Sequence, residues 1–212
     1  MKREKFYLKT SAVIQGDFKL KDLNLLLVFQ VNCASCFSSA FPLMNRLEEQ
    51  FRSSGLKLLA LSTAFEDFDL NTLENTERLI KKGELVGETK KFLSQNGYDR
   101  LPYTIKCSVA FDSLGPMTIT NLDEKVEGMC QILPDFPKYN YLEKKLIREQ
   151  MREYLTNKKY SAVTFDSNNL QGTPSWILFD KSFNVYGKWF GQKDDKEFEI
   201  IISQILGGKI SH

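Results

Sequence analysis

The sequence predicts an α/β fold in which a central mixed sheet carries helices on both faces. Three observations lead there. The run Leu25-Leu26-Leu27-Val28-Phe29 is continuous in apolar residues, the mark of a strand buried on both sides. It ends in Gln30-Val31-Asn32-Cys33-Ala34-Ser35-Cys36, beyond which Phe37, Phe41, Met44, Leu47 and Phe51 recur at helical spacing. A second apolar run, Leu56–Thr63, follows the stop signal Ser53-Ser54-Gly55, and such short strand–helix–strand connections make the two strands parallel.

The remaining elements follow in order. Near the start, Phe6-Tyr7-Leu8 and Ala12-Val13-Ile14 each read as a short strand, with a turn at Gly16-Asp17. Pro42 lies inside the first helix, where a missing N–H and ring crowding predict a kink. After the second strand come the acidic loop Phe65-Glu66-Asp67-Phe68-Asp69 and a cap at Asn71-Thr72. Two helices are expected, over 72–82 and 85–96, the latter closed by Gly97. Tyr103–Phe111 alternates as a strand does, with Cys107 filling core volume within it.

Periodicity is then lost. Gly115-Pro116, Gly128, Pro134 and Pro137 read as an irregular loop over 113–140, with Cys130 exposed on it. A helix over 141–157 is marked by Leu142, Leu146, Ile147, Met151 and Leu155, and 158–171 is again irregular. Gly172-Thr173-Pro174 leads into the strand Ser175–Phe179, which returns through Asp180-Lys181-Ser182 as Asn184–Phe190. A last helix starts from a cap near Asp194, carries Phe198, Ile201, Ile202, Ile205 and Leu206 on one stripe, and stops at Gly207-Gly208. The expected organisation is one domain over 1–212 with a loop-plus-helix insertion at about 113–171.

Chemistry concentrates at Cys33 and Cys36. They sit where a central strand hands over to a helix N-terminus, whose unpaired N–H groups and dipole favour a thiolate. That lowers a thiol's pKa and makes it a nucleophile. Two intervening residues let the second thiol reach the first and close a small disulfide. A structural zinc site would need four ligands. The chain offers only Cys107 and Cys130 as further cysteines, and its one histidine, His212, is the final residue, so no metal site is expected.

The composition excludes other classes. Lysine and arginine total 29 against 27 acidic residues, a net charge of +2 that gives no reason to propose nucleic acid as partner. The basic start Met1-Lys2-Arg3-Glu4-Lys5 is followed by no apolar h-region, and no run approaches the roughly 20 residues that span a bilayer. No membrane partner is expected. The expected location is the cytoplasm, where Cys-x-x-Cys is a catalytic rather than a structural signal, or the periplasm or exterior if an export signal was removed.

Taken together, the motifs resemble the thioredoxin superfamily, in its TlpA-like or redoxin branch. The resembling residues are Phe29-Gln30, Cys33 and Cys36, Pro42, Thr63-Ala64-Phe65-Glu66 and Gly172-Thr173-Pro174, spread over roughly 23–111 and 172–206. The segment 113–171 is longer than the connection this resemblance leads one to expect. The resemblance implies a thioredoxin-like thiol–disulfide oxidoreductase acting on protein substrates with a disulfide or dithiol. It implies no cofactor, only an upstream thiol reductant. It also implies a cis Thr173–Pro174 peptide facing the cysteines, with Thr173 pairing with an extended substrate segment.

Three departures from the family pattern matter. Asn32 stands where a Trp is usual, which alters the docking surface that Asn32, Thr173 and Pro174 would form. Ala34-Ser35 replaces Gly-Pro between the cysteines. No carboxylate lies in 25–30 to take the proton from Cys36; Glu66 and Asp67, at the same sheet edge, either serve as that base or form a solvated loop. Two rival functions stand beside the oxidoreductase. A redoxin-type peroxidase would need Pro-x-x-x-Thr-x-x-Cys, and the matching places hold Leu26 and Gln30. A non-catalytic binding module would use 113–171 to hold its partner. For the oxidoreductase, partner choice is expected in 113–140, beside the aromatics Phe136, Tyr139 and Tyr141.

Overall fold

The computed structural model describes residues 4–116, 122–157 and 160–210; Met1 to Arg3 and His212 lie outside them. The chain divides into two compact units, Met1–Ser113 with Ala162–His212, and Leu114–Ser161. The division falls at Ala162, so 162–171, which the sequence grouped with the insertion, belongs to the first unit.

In the first unit the chain forms β1 (Thr10–Gln15), β2 (Leu23–Phe29), α1 (Phe41–Phe51), β3 (Leu56–Ser62), α2 (Leu73–Lys82), α3 (Gly87–Gln95) and β4 (Ser108–Asp112). The second unit then holds β5 (Leu114–Pro116), α4 (Leu122–Ile132), α5 (Tyr141–Asn157) and most of β6 (Tyr160–Ala162). Back in the first unit come α6 (Val163–Ser167), β7 (Ser175–Asp180), β8 (Val185–Phe190) and α7 (Asp195–Ile210).

The main sheet has six strands in the order β1-β4-β3-β2-β7-β8. β2, β3 and β4 run parallel, with Leu25 opposite Leu58 and Phe29 opposite Ser62; β1, β7 and β8 join antiparallel to their neighbours. Every residue of β2 is buried, Leu25–Phe29 as an unbroken apolar run requires and Asn24 with its amide bonded to the Lys21 and Phe179 carbonyls. Its alternation splits the core in two. Leu25, Leu27 and Phe29 pack with α1, Trp176 and Phe198, whereas Leu26 and Val28 pack with Phe6, Phe165, Ile177 and Phe179. The candidate thiols lie at the C-terminal end of this central strand.

Several elements differ from the sequence reading. Residues 6–8 are not a ladder strand: Phe6 N–H donates to the Phe183 carbonyl, and the Asn168 side chain bonds both the N–H and the carbonyl of Tyr7. The strand expected from Tyr103 begins only at Ser108. Ahead of it the backbone is held by side chains, with Asn45 bonding Thr104 and Lys106, and Gln15 bonding the Ile105 and Cys107 carbonyls. α7 continues through Gly207-Gly208 to Ile210 instead of stopping there. Within 158–171 the backbone forms β6 and α6, because the buried Asp112 carboxylate accepts the N–H groups of Thr164 and Phe165 and fixes the helix start.

The largest correction is in 113–140. Its described residues, which leave out 117–121, are no irregular loop: α4 occupies Leu122–Ile132, and its Val126 and Cys130 are buried with Phe136 and Leu155 in a core belonging to the second unit. Cys130, expected exposed, is enclosed, and Phe136 is buried beneath the guanidinium of Arg148, itself paired through two nitrogens with Glu127. Of the stripe assigned to α5, Ile147, Met151 and Leu155 pack in this core, while Leu142 and Leu146 are exposed.

Candidate active site at the Cys33–Cys36 turn

The turn is built by the end of β2. Phe29 packs edge-on against Phe37 and Phe41, whose rings stack 5.2 Å apart, and this aromatic cluster ties the start of the helical segment to the sheet. Helical structure begins at Ala34, so Cys33 occupies the place before the first helical residue. Cys36 N–H donates to the Cys33 carbonyl at 3.1 Å. From Cys36 to Ala40 the helix is π-helical, and Phe41 N–H donates to the Cys36 carbonyl five residues back. Pro42 explains this wide turn. It brings no N–H and its ring crowds the preceding carbonyls, so one extra residue is absorbed there where the sequence led us to expect a kink.

The two thiols have opposite environments. Cys33 is partly exposed and Cys36 is fully buried. Hydrogen bonding from the Cys36 thiol lowers the Cys33 pKa to about 6; burial opposes this, and the Ser35 hydroxyl assists it. The Ser35 hydroxyl lies 3.3 Å from Cys33 Sγ, and the Thr173 carbonyl accepts from the same sulfur at 3.5 Å. The carbonyl favours the thiol form and the donors favour the thiolate, and the donors prevail. Burial, with the proximity of Cys33, pushes the Cys36 thiol well above its ordinary value. The arrangement makes one ready nucleophile and one sheltered partner.

The Thr173–Pro174 peptide, cis in this structure, heads the β7–β8 hairpin. The Pro174 carbonyl accepts from Gly191 N–H at 2.8 Å. Gly172 leaves room for the Phe190 ring, which would lie 2.8 Å from a β-carbon at that place. Behind Thr173 stands Gln30, 3 % exposed, which accepts from the Thr173 hydroxyl at 3.2 Å and donates to the Glu66 carbonyl. Glu66 therefore meets the site through its backbone carbonyl, which also accepts from Asn71. The Asp67 carboxylate accepts from the Asn32 side chain at 2.7 Å.

Thus the structure brings Cys33, Cys36 and Thr173 together, whereas Asn32 is bonded to neighbouring loops. Sequence reasoning named Gln30 and Ser35 in or beside the motif but gave neither them nor Tyr103 a role in the site. The Tyr103 hydroxyl donates to the Phe37 carbonyl, and burial followed by the nearby Cys36 raises its pKa. A polar residue closing an apolar strand was the available signal for Gln30. Among the described residues no cluster of histidine, cysteine or acidic side chains is suited to a metal. No helix among them is long and apolar enough to cross a membrane.

No family model matches the chain, and neither does any curated protein. Solved structures do. A thiol-disulfide isomerase from Corynebacterium glutamicum matches with a TM-score of 0.57 at 19% identity, covering 96% of each chain. A thioredoxin-like superfamily protein gives 0.58 at 16% identity over 97% of each chain, and a thioredoxin-like protein solved in its oxidised form gives 0.53 at 12% over 97% of each. At these identities the likeness is one of fold. The chain has the thioredoxin-like fold, with a Cys-x-x-Cys pair at a helix start.

Proposed function

We propose that the protein is a thiol–disulfide oxidoreductase acting on protein disulfides through Cys33 and Cys36. The observation that carries the reading is the contrast between the thiols: Cys33 is partly exposed, with hydrogen bonds that lower its pKa, and Cys36 beside it is buried. The Cys33 thiolate attacks one sulfur of a substrate disulfide, forming a mixed disulfide and expelling the other sulfur as thiolate. Cys36 loses its proton and attacks Cys33 Sγ. The bond from Cys33 to the substrate breaks, the departing substrate sulfur takes the electron pair and a proton, and Cys33–Cys36 is left oxidised. An upstream thiol reductant restores the dithiol, a cycle suited to the cytoplasm.

The Thr173–Pro174 loop is proposed as the strip along which an extended substrate segment lies, and the unit 114–161 as the part that selects the partner. Support for the first is the position of the Thr173 carbonyl against Cys33 Sγ. A Cys36→Ser variant tests the function directly. It should accumulate mixed disulfides with proteins from cell extract, and these should vanish in Cys33→Ser. A variant that traps nothing, with a wild type that reduces no disulfide, would sink the reading.

A further inference from the structure

Asn32, expected on the docking surface, is hydrogen-bonded within the protein. Its backbone N–H donates to Asn71 Oδ1 at 3.0 Å, its Nδ2 donates to Asp67 Oδ2 at 2.7 Å, and its Oδ1 accepts the Glu88 N–H at 2.7 Å. The last bond caps α3 from outside. The N-cap residue of α3 is Val86, whose side chain makes no cap, so an orphan N–H of the first turn is satisfied by a side chain 56 residues away. Gly87 permits the approach. A β-carbon there would lie 2.0 Å from Asn32 Oδ1, and its φ of +51 is itself costly for other residues. The preceding residue is tied to the same helix, since the Thr89 hydroxyl donates to the Val31 carbonyl at 2.7 Å.

We propose that Asn32 is a positioning residue for Cys33: its carboxamide fastens the redox turn to the start of α3 and to the 66–71 loop, fixing where the nucleophilic sulfur sits. This rests on the reading of Cys33 as the nucleophile. The peptide of Asn32 leads directly into Cys33. The Ser35 hydroxyl and the Thr173 carbonyl stand 3.3 and 3.5 Å from Cys33 Sγ, so the place of the turn sets both contacts. Only a residue with both an acceptor and a donor serves all these contacts; an indole, with a donor alone, cannot cap α3. The chain's departure from Trp at this place is therefore matched by Gly87 and Asp67.

The test compares wild type, Asn32→Ala and Asp67→Gly, using amide exchange at Glu88 and the alkylation rate of Cys33 as a function of pH. Asp67 is exposed with φ 45, a conformation that glycine accepts, so the second variant keeps the fold. Asn32→Ala should exchange Glu88 about tenfold faster, the equivalent of a lost cap. It should also alkylate about threefold more slowly at pH 5, because the displaced thiolate is less well served by its donors, Ser35 and the Cys36 thiol. Asp67→Gly should leave Glu88 protected and produce a smaller slowing. An unchanged alkylation profile in the folded variants, even with a lowered melting temperature, overturns the proposal and leaves Asn32 a mere cap. Unchanged exchange at Glu88 in Asn32→Ala overturns it as well. Should the proposed function itself fail, the wild type would show it, by an ordinary thiol pKa and no disulfide reduction.

Discussion

Replacing Ser35 by alanine isolates one donor to the reactive sulfur. The Ser35 hydroxyl stands 3.3 Å from Cys33 Sγ, and Cys33 ionises at about 6. A hydrogen bond to a charged group is worth about 1.5–3 kcal/mol, and this long contact to a partly exposed sulfur belongs at or just below the low end. At about 1.4 kcal/mol per tenfold, Ser35→Ala moves the titration midpoint up by about one pH unit. The thiolate fraction at pH 5 then falls about ninefold. A more basic thiolate is also a better nucleophile, and a Brønsted slope of about 0.4–0.5 raises its intrinsic rate about threefold. Alkylation of the reduced protein should therefore be about threefold slower than wild type at pH 5 and about threefold faster at pH 8, the two curves crossing between about pH 6 and 7. Ser35→Thr, which keeps the hydroxyl, should follow wild type. A uniform slowing at every pH, or superimposed curves, would refute the assignment of Ser35 as a donor to the thiolate.

Brief alkylation of the native reduced protein at pH 7, read by mass spectrometry, should label Cys33 alone; Cys36, Cys107 and Cys130 are buried, and Cys107 is pushed up to about 12 chiefly by burial. A second fast thiol would contradict the packing. Stability of the reduced protein should rise with pH between about 6 and 8.5, since there the unfolded chain binds a proton on Cys33 that the native chain lacks. Below about 6 that contribution is gone; discounted for the exposed part of the sulfur it amounts to about 2 kcal/mol, and denaturant titration of Cys33→Ser should show no such rise. Finally, the first unit's chain leaves and returns at one place: Val163 N–H donates to the Ser113 carbonyl at 2.8 Å. Replacing 114–161 by a short Gly-Ser linker should thus leave a folded protein with the wild-type alkylation profile and deplete the proteins trapped by Cys36→Ser. Removing 113–140 alone would strand the buried face of α5 and yield aggregate. Retention of the full trapped set in the shorter chain would remove the second unit from partner choice.

Local sequence determined the central parts of this protein. The unbroken apolar run of β2 could be placed only inside a sheet, and the change from strand to helical period at Cys33–Cys36 put the thiols at a helix start. Signals within a dozen residues also marked α2, with its Thr72 cap, and the β7–β8 hairpin. What the tertiary structure alone decided is of a different kind. α4 was hidden because Gly128 and the flanking prolines mask a short apolar stripe, which matters only once α5 supplies the opposite face. The Tyr103–Cys107 stretch alternates as a strand does, yet Asn45 and Gln15 bind its backbone first. The polar frame of the site is equally nonlocal. Asn32 meets Asp67, Asn71 and Glu88, and Gln30 meets Glu66 and Thr173, across separations of 35 to 143 residues. Apolar periodicity repeats along a chain and is legible from it. A single amide choosing partners that distant leaves no period, and only the folded backbone brings its donors and acceptors within reach.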